Sequence, residues 1–191
     1  MITKDDDLSD SQVVTLVLEG HNDMYALIVE RYENKLMRYA MFLMKDHDIA
    51  SDITQEAFIS AYVNLRSFKI DKSFSSWIYR ILHNGAMNLI KKNKKIYALG
   101  VIDETNDDFL IKFDTDKILD KNILNVKVRK CLSQIDIKYK EILALNFFDN
   151  LKYEEISDIL HIPTSTVGVR IKRGKEILKE VCQNNGVKYE R

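Results

Sequence analysis

The chain is poor in the residues that break or staple a fold. Its 191 residues hold one proline, six glycines and two cysteines. So few breakers argue against a loop-rich or low-complexity chain, and 46% apolar residues argue against a disordered one. Cys131 and Cys182 stand far apart in the chain and in no CxxC pattern. They are expected to be buried or idle thiols rather than a disulfide or a metal pair. His21, His47, His83 and His161 are scattered without ligand spacing, so no metal site is expected. No run approaches the roughly 18 apolar residues of a membrane span. The acidic opening MITKDDDLSD has no apolar signal core, and a cytoplasmic location is expected. A Gly-rich phosphate loop, a nucleophile elbow and a supported pair of catalytic carboxylates are all missing. The expectation is a protein that is not an enzyme, with no cofactor and no small-molecule substrate.

What remains is helical periodicity and uneven charge. Residues 1–34 hold eight acids against two bases, and residues 64–95 hold eight bases against one acid. Residues 96–125 turn acidic, with seven acids against three bases, and residues 126–191 turn basic again, with thirteen bases against nine acids. Two basic blocks around an acidic one suggest two nucleic-acid contacts on one chain. The pattern predicts an all-α protein made of two small helical domains, 11–95 and 126–183. A flexible acidic linker, 96–125, would join them.

The most informative stretch is 151–180, LKYEEISDILHIPTSTVGVRIKRGKEILKE. Tyr153, Ile156, Ile159 and Leu160 give a first helix one apolar face. His161-Ile162-Pro163 breaks it, and Thr164 or Ser165 is expected to cap the next helix. In that second helix Val167, Ile171, Gly174 and Leu178 form the inner stripe. Ser165, Gly168, Val169 and Lys172 face outward, flanked by Arg170, Arg173 and Lys175. This is the pattern of a helix-turn-helix whose second helix enters a DNA major groove.

In the N-terminal half, helical spacing runs from Val13 to Leu18 and again from Met24 to Leu43. A helix over 49–67, with Asp48 as its cap, is expected to bury Ile53, Ala57, Ala61 and Leu65. It would leave Asp52, Gln55, Glu56 and Ile59 on a second face. Residues 68–75 read as a loop with aromatic ends. A helix over 76–92 is expected to turn Ile78, Ile81, Leu82, Gly85 and Leu89 inward. Arg80, His83, Asn84, Met87, Asn88 and Lys91 would then look out. Phe68, Phe74, Trp77 and Tyr79 are interleaved with Arg66, Lys69, Lys72 and Arg80. Cations that track phosphates, beside rings that stack unpaired bases, are the mixture that holds single-stranded nucleic acid. Some of these rings are expected to be core, Trp77 first among them.

Three stretches resemble a known family. DIASDITQEAFISAYVNLRSF (48–68) carries a D-x-x-Q-E-x-F core at Asp52, Gln55, Glu56 and Phe58. FSSWIYRILHNGAMNLIKK (74–92) resembles F-x-x-W-L-Y-R-I-A-x-N followed by bases. YEEISDILHIPTSTVGVRIKRGKEIL resembles E-I-A-x-x-L-x-I-P-x-G-T-V-x-S-R-L-x-R-A-R. In this order they resemble the bacterial RNA polymerase sigma factors, in the small extracytoplasmic-function group that keeps only the second and fourth conserved regions. The resemblance implies that Asp52, Gln55, Glu56 and Ile59 dock on the clamp helices of the largest subunit of core RNA polymerase. It implies that Phe74, Trp77, Arg80, Asn84, Asn88, Lys91 and Lys92 meet the −10 promoter element, the 68–75 loop capturing an unstacked base. Thr164, Ser165, Thr166, Gly168, Val169, Arg170, Lys172 and Arg173 would read the −35 element in duplex DNA. An anti-sigma factor, often membrane-anchored in this family, is a further implied partner.

Asn88 stands where the family often has aspartate. Gly168 and Val169 stand where lysine and serine are common, and neither side chain can hydrogen-bond a base edge. Readout there would rely on thymine methyls or DNA shape. Gly168 costs about 1 kcal/mol of helix propensity against alanine, and close approach of its backbone to DNA would compensate. Two other classes fit parts of the sequence. A stand-alone helix-turn-helix regulator leaves the Asp52–Glu56 face without a role. A polymerase-binding module without promoter activity would explain Gly168 and Val169.

Overall fold

A computed structural model describes residues 8–97, 128 and 130–186. Within them all regular structure is helical, and the chain divides into two compact units between Asp103 and Glu104. The first unit is built from α1 (Asp10–Leu18), α2 (Tyr25–Met44), α3 (His47–Val63) and α4 (Phe74–Tyr97). The second contains a helical segment ending at Ser133, then α5 (Ile137–Phe147), α6 (Tyr153–Leu160) and α7 (Thr164–Asn184). The acidic linker expected over 96–125 lies outside the described residues, apart from its first two, which continue α4.

Local chemistry sets the helix ends. Ser9 and Gln12 form a reciprocal capping box that starts α1. Gly20, at φ +107°, supplies the left-handed turn after it. Asp46, not Asp48, caps α3: its backbone is extended and its carboxylate accepts from the Ile49 N–H at 3.0 Å. Asp48 lies inside the first turn, where a carboxylate favours the positive helix end without capping it. Asp136 caps α5 through the Lys138 N–H. The run 126–149 is therefore broken at 134–136 rather than continuous.

In the first unit α2 packs against α1, α3 and α4, and α3 against α4. Ile28, Leu36, Tyr39, Ala57, Ala61, Ile78 and Leu82 fill the core. Asp10 ties α1 to α2, accepting from Arg31 at 2.9 Å and from the Tyr32 hydroxyl. In α3 the buried stripe is Ala50, Thr54, Ala57, Phe58 and Ala61, with Ile53 only half-buried. Thr54 turns its hydroxyl onto the Ala50 carbonyl, which lets a polar residue take the inner position.

In the second unit α7 packs on both α5 and α6. Ile142, Leu143, Leu145, Ile156, Ile159, Val167 and Ile171 are its buried aliphatics. Gly174 sits where the α7 backbone meets α5; a Cβ there would lie 3.1 Å from Leu143 Cδ1. Lys140 is buried, contrary to expectation for a lysine. Its ammonium donates to the Ser133 carbonyl at 3.2 Å and so satisfies a helix C-terminus.

Candidate nucleic-acid and polymerase interface

On α3, Asp52, Gln55 and Glu56 are exposed, and Ile59 keeps 58% of its surface in solvent. Four residues at spacings of three and four bring three polar groups and one bare aliphatic to one side of the helix. Beside them a groove of about 340 Å³ runs between α2 and α3. Glu33 and Met37 of α2 line it together with Gln55, Phe58 and Ile59 of α3. Sequence reasoning missed the α2 side, because residues about twenty positions apart share a face only after the helices pair. Tyr62 and Val63 extend the exposed apolar surface to the end of α3. Tyr25 supports that end: its ring meets Tyr62 edge-on and its hydroxyl donates to the Phe58 carbonyl at 2.8 Å. Burial first, and the neighbouring Tyr62 second, push that phenol well above its ordinary range.

On α4, Asn84, Asn88, Lys91 and Lys92 are exposed, and Trp77 and Arg80 are half-buried at the upstream end. Arg80, Asn84, Asn88 and Lys92 repeat every four residues, so amides and cations form one stripe. Phe74 is a correction. It is 3% exposed, with its ring edge-on to Tyr32 and Phe68 at centroid distances of 5.7 and 5.3 Å. A ring enclosed on these sides offers no face to a base. The cause is register: packing against α2 and α3 selects positions 74, 78, 82 and 86 as the inner stripe of α4. The same register exposes Gly85 and buries His83, against the expected pattern. His83 shares a hydrogen bond of 2.8 Å with the Tyr39 hydroxyl. Trp77, first among the rings expected to be core, is half-buried and keeps part of its surface in solvent.

The 68–75 loop is a cluster of aromatics under a polar rim. Phe68, Phe74 and Trp77 lie within 5.5 Å of one another, centroid to centroid. Lys69, Ile70, Asp71 and Lys72, between Phe68 and Phe74 in the chain, are exposed. Ser73 starts α4, its hydroxyl accepting from the Ser76 N–H. Ser11 of α1 donates to the Ile70 carbonyl at 3.3 Å, so α1 helps hold the loop. No local sequence signal links Ser11 to Ile70; the contact exists only because α1 folds back over the loop.

In the second unit His161 closes α6 in the left-handed region at φ 52°. The Ser157 hydroxyl holds the turn by donating to the Ile162 carbonyl at 2.7 Å. Pro163 occupies the cap position of α7, and no side chain caps it. Thr164 and Ser165 lie inside the first turn instead, a second correction. The first-turn N–H groups and the positive helix end thus remain available to an anion. Ser165, Val169, Lys172 and Arg173 are exposed, Val169 to 66%, while Thr166, Gly168 and Arg170 are half-buried. A Cβ at Gly168 would meet the Tyr153 ring at 3.7 Å, so this glycine sits against α6 rather than on the outermost line of α7. Asp136 lies near Arg170. The Lys138 N–H, then the nearby Lys138 and Arg170 charges, hold its carboxyl below the usual range against the opposing effect of burial. Among the described residues no group of His, Cys, Asp and Glu is placed to hold a metal ion. No helix among them is long and apolar enough to cross a membrane.

Known proteins share this arrangement. Sigma-70 region 2 matches residues 28–96, and sigma-70 region 4 matches residues 125–178. The sigma factor SigW of Bacillus subtilis, of the extracytoplasmic-function group, is 35% identical over 173 residues, covering 86% of this chain and 91% of SigW. The chain belongs to the extracytoplasmic-function sigma factors. The sigma-E factor of Escherichia coli K12 is 31% identical, over 92% of this chain and 95% of its own. Among solved structures, CnrH in complex with the cytosolic domain of CnrY matches with a TM-score of 0.66 at 18% identity. That match covers 92% of this chain and 97% of CnrH. The sigma factor RpoE of Bartonella quintana, solved with the anti-sigma factor NepR, gives the same TM-score at 20% identity, over 83% and 96%. Both likenesses bear on the fold. In this frame the α2–α4 bundle is the region 2 unit, and α6–α7 is the helix-turn-helix of region 4.

Proposed function

We propose that this sigma factor binds core RNA polymerase, recognises −10 and −35 promoter elements and promotes transcription initiation from the cytoplasm. The observation that carries this reading is the first unit. A duplex-binding regulator needs only α6 and α7. Here a separate bundle presents an acidic, partly apolar face on α3 and an amide-and-lysine stripe on α4. Asp52, Gln55, Glu56 and Ile59, with the α2 side of the groove, take the polymerase clamp. Arg80, Asn84, Asn88, Lys91 and Lys92 follow the −10 strand, and Trp77 stacks at its upstream edge. Phe74 acts beneath, as the packing that holds Trp77 and the loop. On α7 the open first turn, Lys172 and Arg173 bind phosphates and set the register. Val169 meets a thymine methyl in the major groove. Holding unpaired −10 bases makes strand opening favourable, while the polymerase performs the chemistry. An anti-sigma factor covering both units would keep the protein inactive until it is released; CnrH and RpoE, solved with CnrY and NepR, support that expectation.

Run-off transcription tests the proposal. Purified protein and core polymerase are incubated with a genomic promoter library, and transcripts are sequenced. New start sites preceded by two motifs at constant spacing are expected. Polymerase binding without new starts would replace this reading with a non-initiating module. Duplex binding without polymerase binding would replace it with a stand-alone regulator.

A further inference from the structure

The chain's two cysteines, distant in sequence, meet in the second unit. Cys131, in the helical segment before α5, and Cys182, in the last turn of α7, are both fully buried. They form one cluster with Leu178 and Val181 packed on it. The two side chains pack together in that cluster, and both thiols are free. A second link lies alongside: the Asn185 amide donates to Gln134 Oε1 at 3.1 Å and to the Val181 carbonyl at 2.9 Å. The segment 131–134 and the end of α7 therefore touch at two successive points, one sealed and one exposed.

Two isolated cysteines used merely as small apolar filler have no reason to choose each other as neighbours. Thiols that already share one buried cluster have each other as the nearest partner for a bond. We propose that Cys131 and Cys182 are a redox-responsive pair that closes to an intramolecular disulfide when exposed to a low-molecular-weight disulfide. The place of entry is the end of α7. Gln183, Asn184, Asn185 and Gly186 are exposed, and fraying of one turn, with loss of the Asn185–Gln134 bond, uncovers Cys182. Cys182 loses its proton, and its thiolate attacks one sulfur of the small disulfide. One small thiolate leaves and a mixed disulfide forms. Cys131 then loses its proton and attacks the Cys182 sulfur, expelling the second small thiolate. Two protein thiols are oxidised, one small disulfide is reduced to two thiols, and the two protons pass to the leaving groups. Burial, and then the contact with Cys182, push the Cys131 thiol up to about 11. The closed pair is therefore inert, and the reaction waits for the helix end to open. Once formed, the bond fastens the segment before α5 to the end of α7.

The test uses the full chain under native conditions. Reduced protein is incubated with oxidised glutathione, quenched with an alkylating reagent and weighed intact. The expected product is a monomer lighter by about 2 Da, the two thiol hydrogens, with no alkylation and with Cys131 and Cys182 peptides joined until a reductant is added. Its C-terminal unit should melt higher by on the order of 10 °C. Cys131→Ser should stop at a glutathione adduct on Cys182. The proposal is overturned if the native wild-type protein stays fully alkylatable, carries separate adducts on both cysteines, or links only between molecules. These wild-type readouts stand whether or not the serine variant folds, and they are independent of promoter activity.

Discussion

Gly168 and Gly174 lie on the same helix, yet replacing each with alanine should move stability in opposite directions. Alanine gains about 1 kcal/mol over glycine in a helix interior by losing less backbone freedom on folding. At Gly168 the new methyl would stand 3.7 Å from Tyr153 Cε2, an ordinary contact, so most of that gain is kept. At Gly174 it would stand 3.1 Å from Leu143 Cδ1, 3.2 Å from Leu143 Cγ and 3.3 Å from Tyr139 Cβ. Leu143 is fully buried, and Tyr139 Cβ is attached directly to the α5 backbone, so neither can yield without moving the helix. Overpacking of this kind costs about 1–3 kcal/mol, which outweighs the propensity gain. We expect Gly168→Ala to stabilise the second unit by about 0.5–1 kcal/mol and Gly174→Ala to destabilise it by about 1 kcal/mol. The corresponding melting shifts are roughly 2–8 °C upward for Gly168→Ala and roughly 4–8 °C downward for Gly174→Ala. Helical circular dichroism during heating reads both units, while the fluorescence of Trp77, the sole tryptophan, follows the first unit and should not change. A Gly174→Ala protein as stable as Gly168→Ala would refute the close-packing argument. Gly168→Ala also separates two accounts of that glycine. If the residue merely sits against Tyr153, −35 duplex affinity is retained. If DNA needs its bare backbone, stability rises while affinity falls.

Reversing charge with Asp52→Lys and Glu56→Lys should weaken core polymerase binding at least about tenfold, or roughly 1.4 kcal/mol, with unchanged helicity. Unaltered affinity in a pull-down titration would mean that this face is not the contact. Alanine at Arg170, Lys172 and Arg173 should lower affinity for −35 duplex and reduce the slope of log affinity against log salt by about 0.9 for each phosphate left without its cation. An unchanged slope would remove these residues from the phosphate path. Phe74→Ala should destabilise the first unit by about 3–5 kcal/mol in urea, read from Trp77 fluorescence, because it empties the centre of the ring cluster. A stable Phe74→Ala protein defective only in promoter opening would instead restore Phe74 as a base contact.

Much of the architecture was legible because helices announce themselves by period. The inner stripe of α7, Val167, Ile171 and Gly174, is where spacing put it. The polar face of α3 is also exposed as expected, Asp52, Gln55 and Glu56 included. Where the expectation slipped, the cause was register. Packing of α4 against α2 and α3 carried Phe74 and His83 inward and left Gly85 outward. A helix with hydrophobic and aromatic residues on several sides does not specify which stripe faces the core; the partner helices choose it. Capping slipped for a similar reason. Asp46 and Asp48 are both competent caps, and the choice depends on where the backbone leaves the extended region.

Sequence alone determined the helical class, the division of charge along the chain and the helix-turn-helix, since each depends on residues within a few turns of one another. The tertiary structure decided everything that requires distant segments to meet. Glu33 and Met37 joined Gln55 and Ile59 around one groove, and Ser11 came to hold the loop at Ile70. Lys140 was buried against the Ser133 carbonyl, and Cys131 was set against Cys182. Pairing across the fold is fixed by how whole helices pack together, and periodicity within one segment carries no record of what packs across from it.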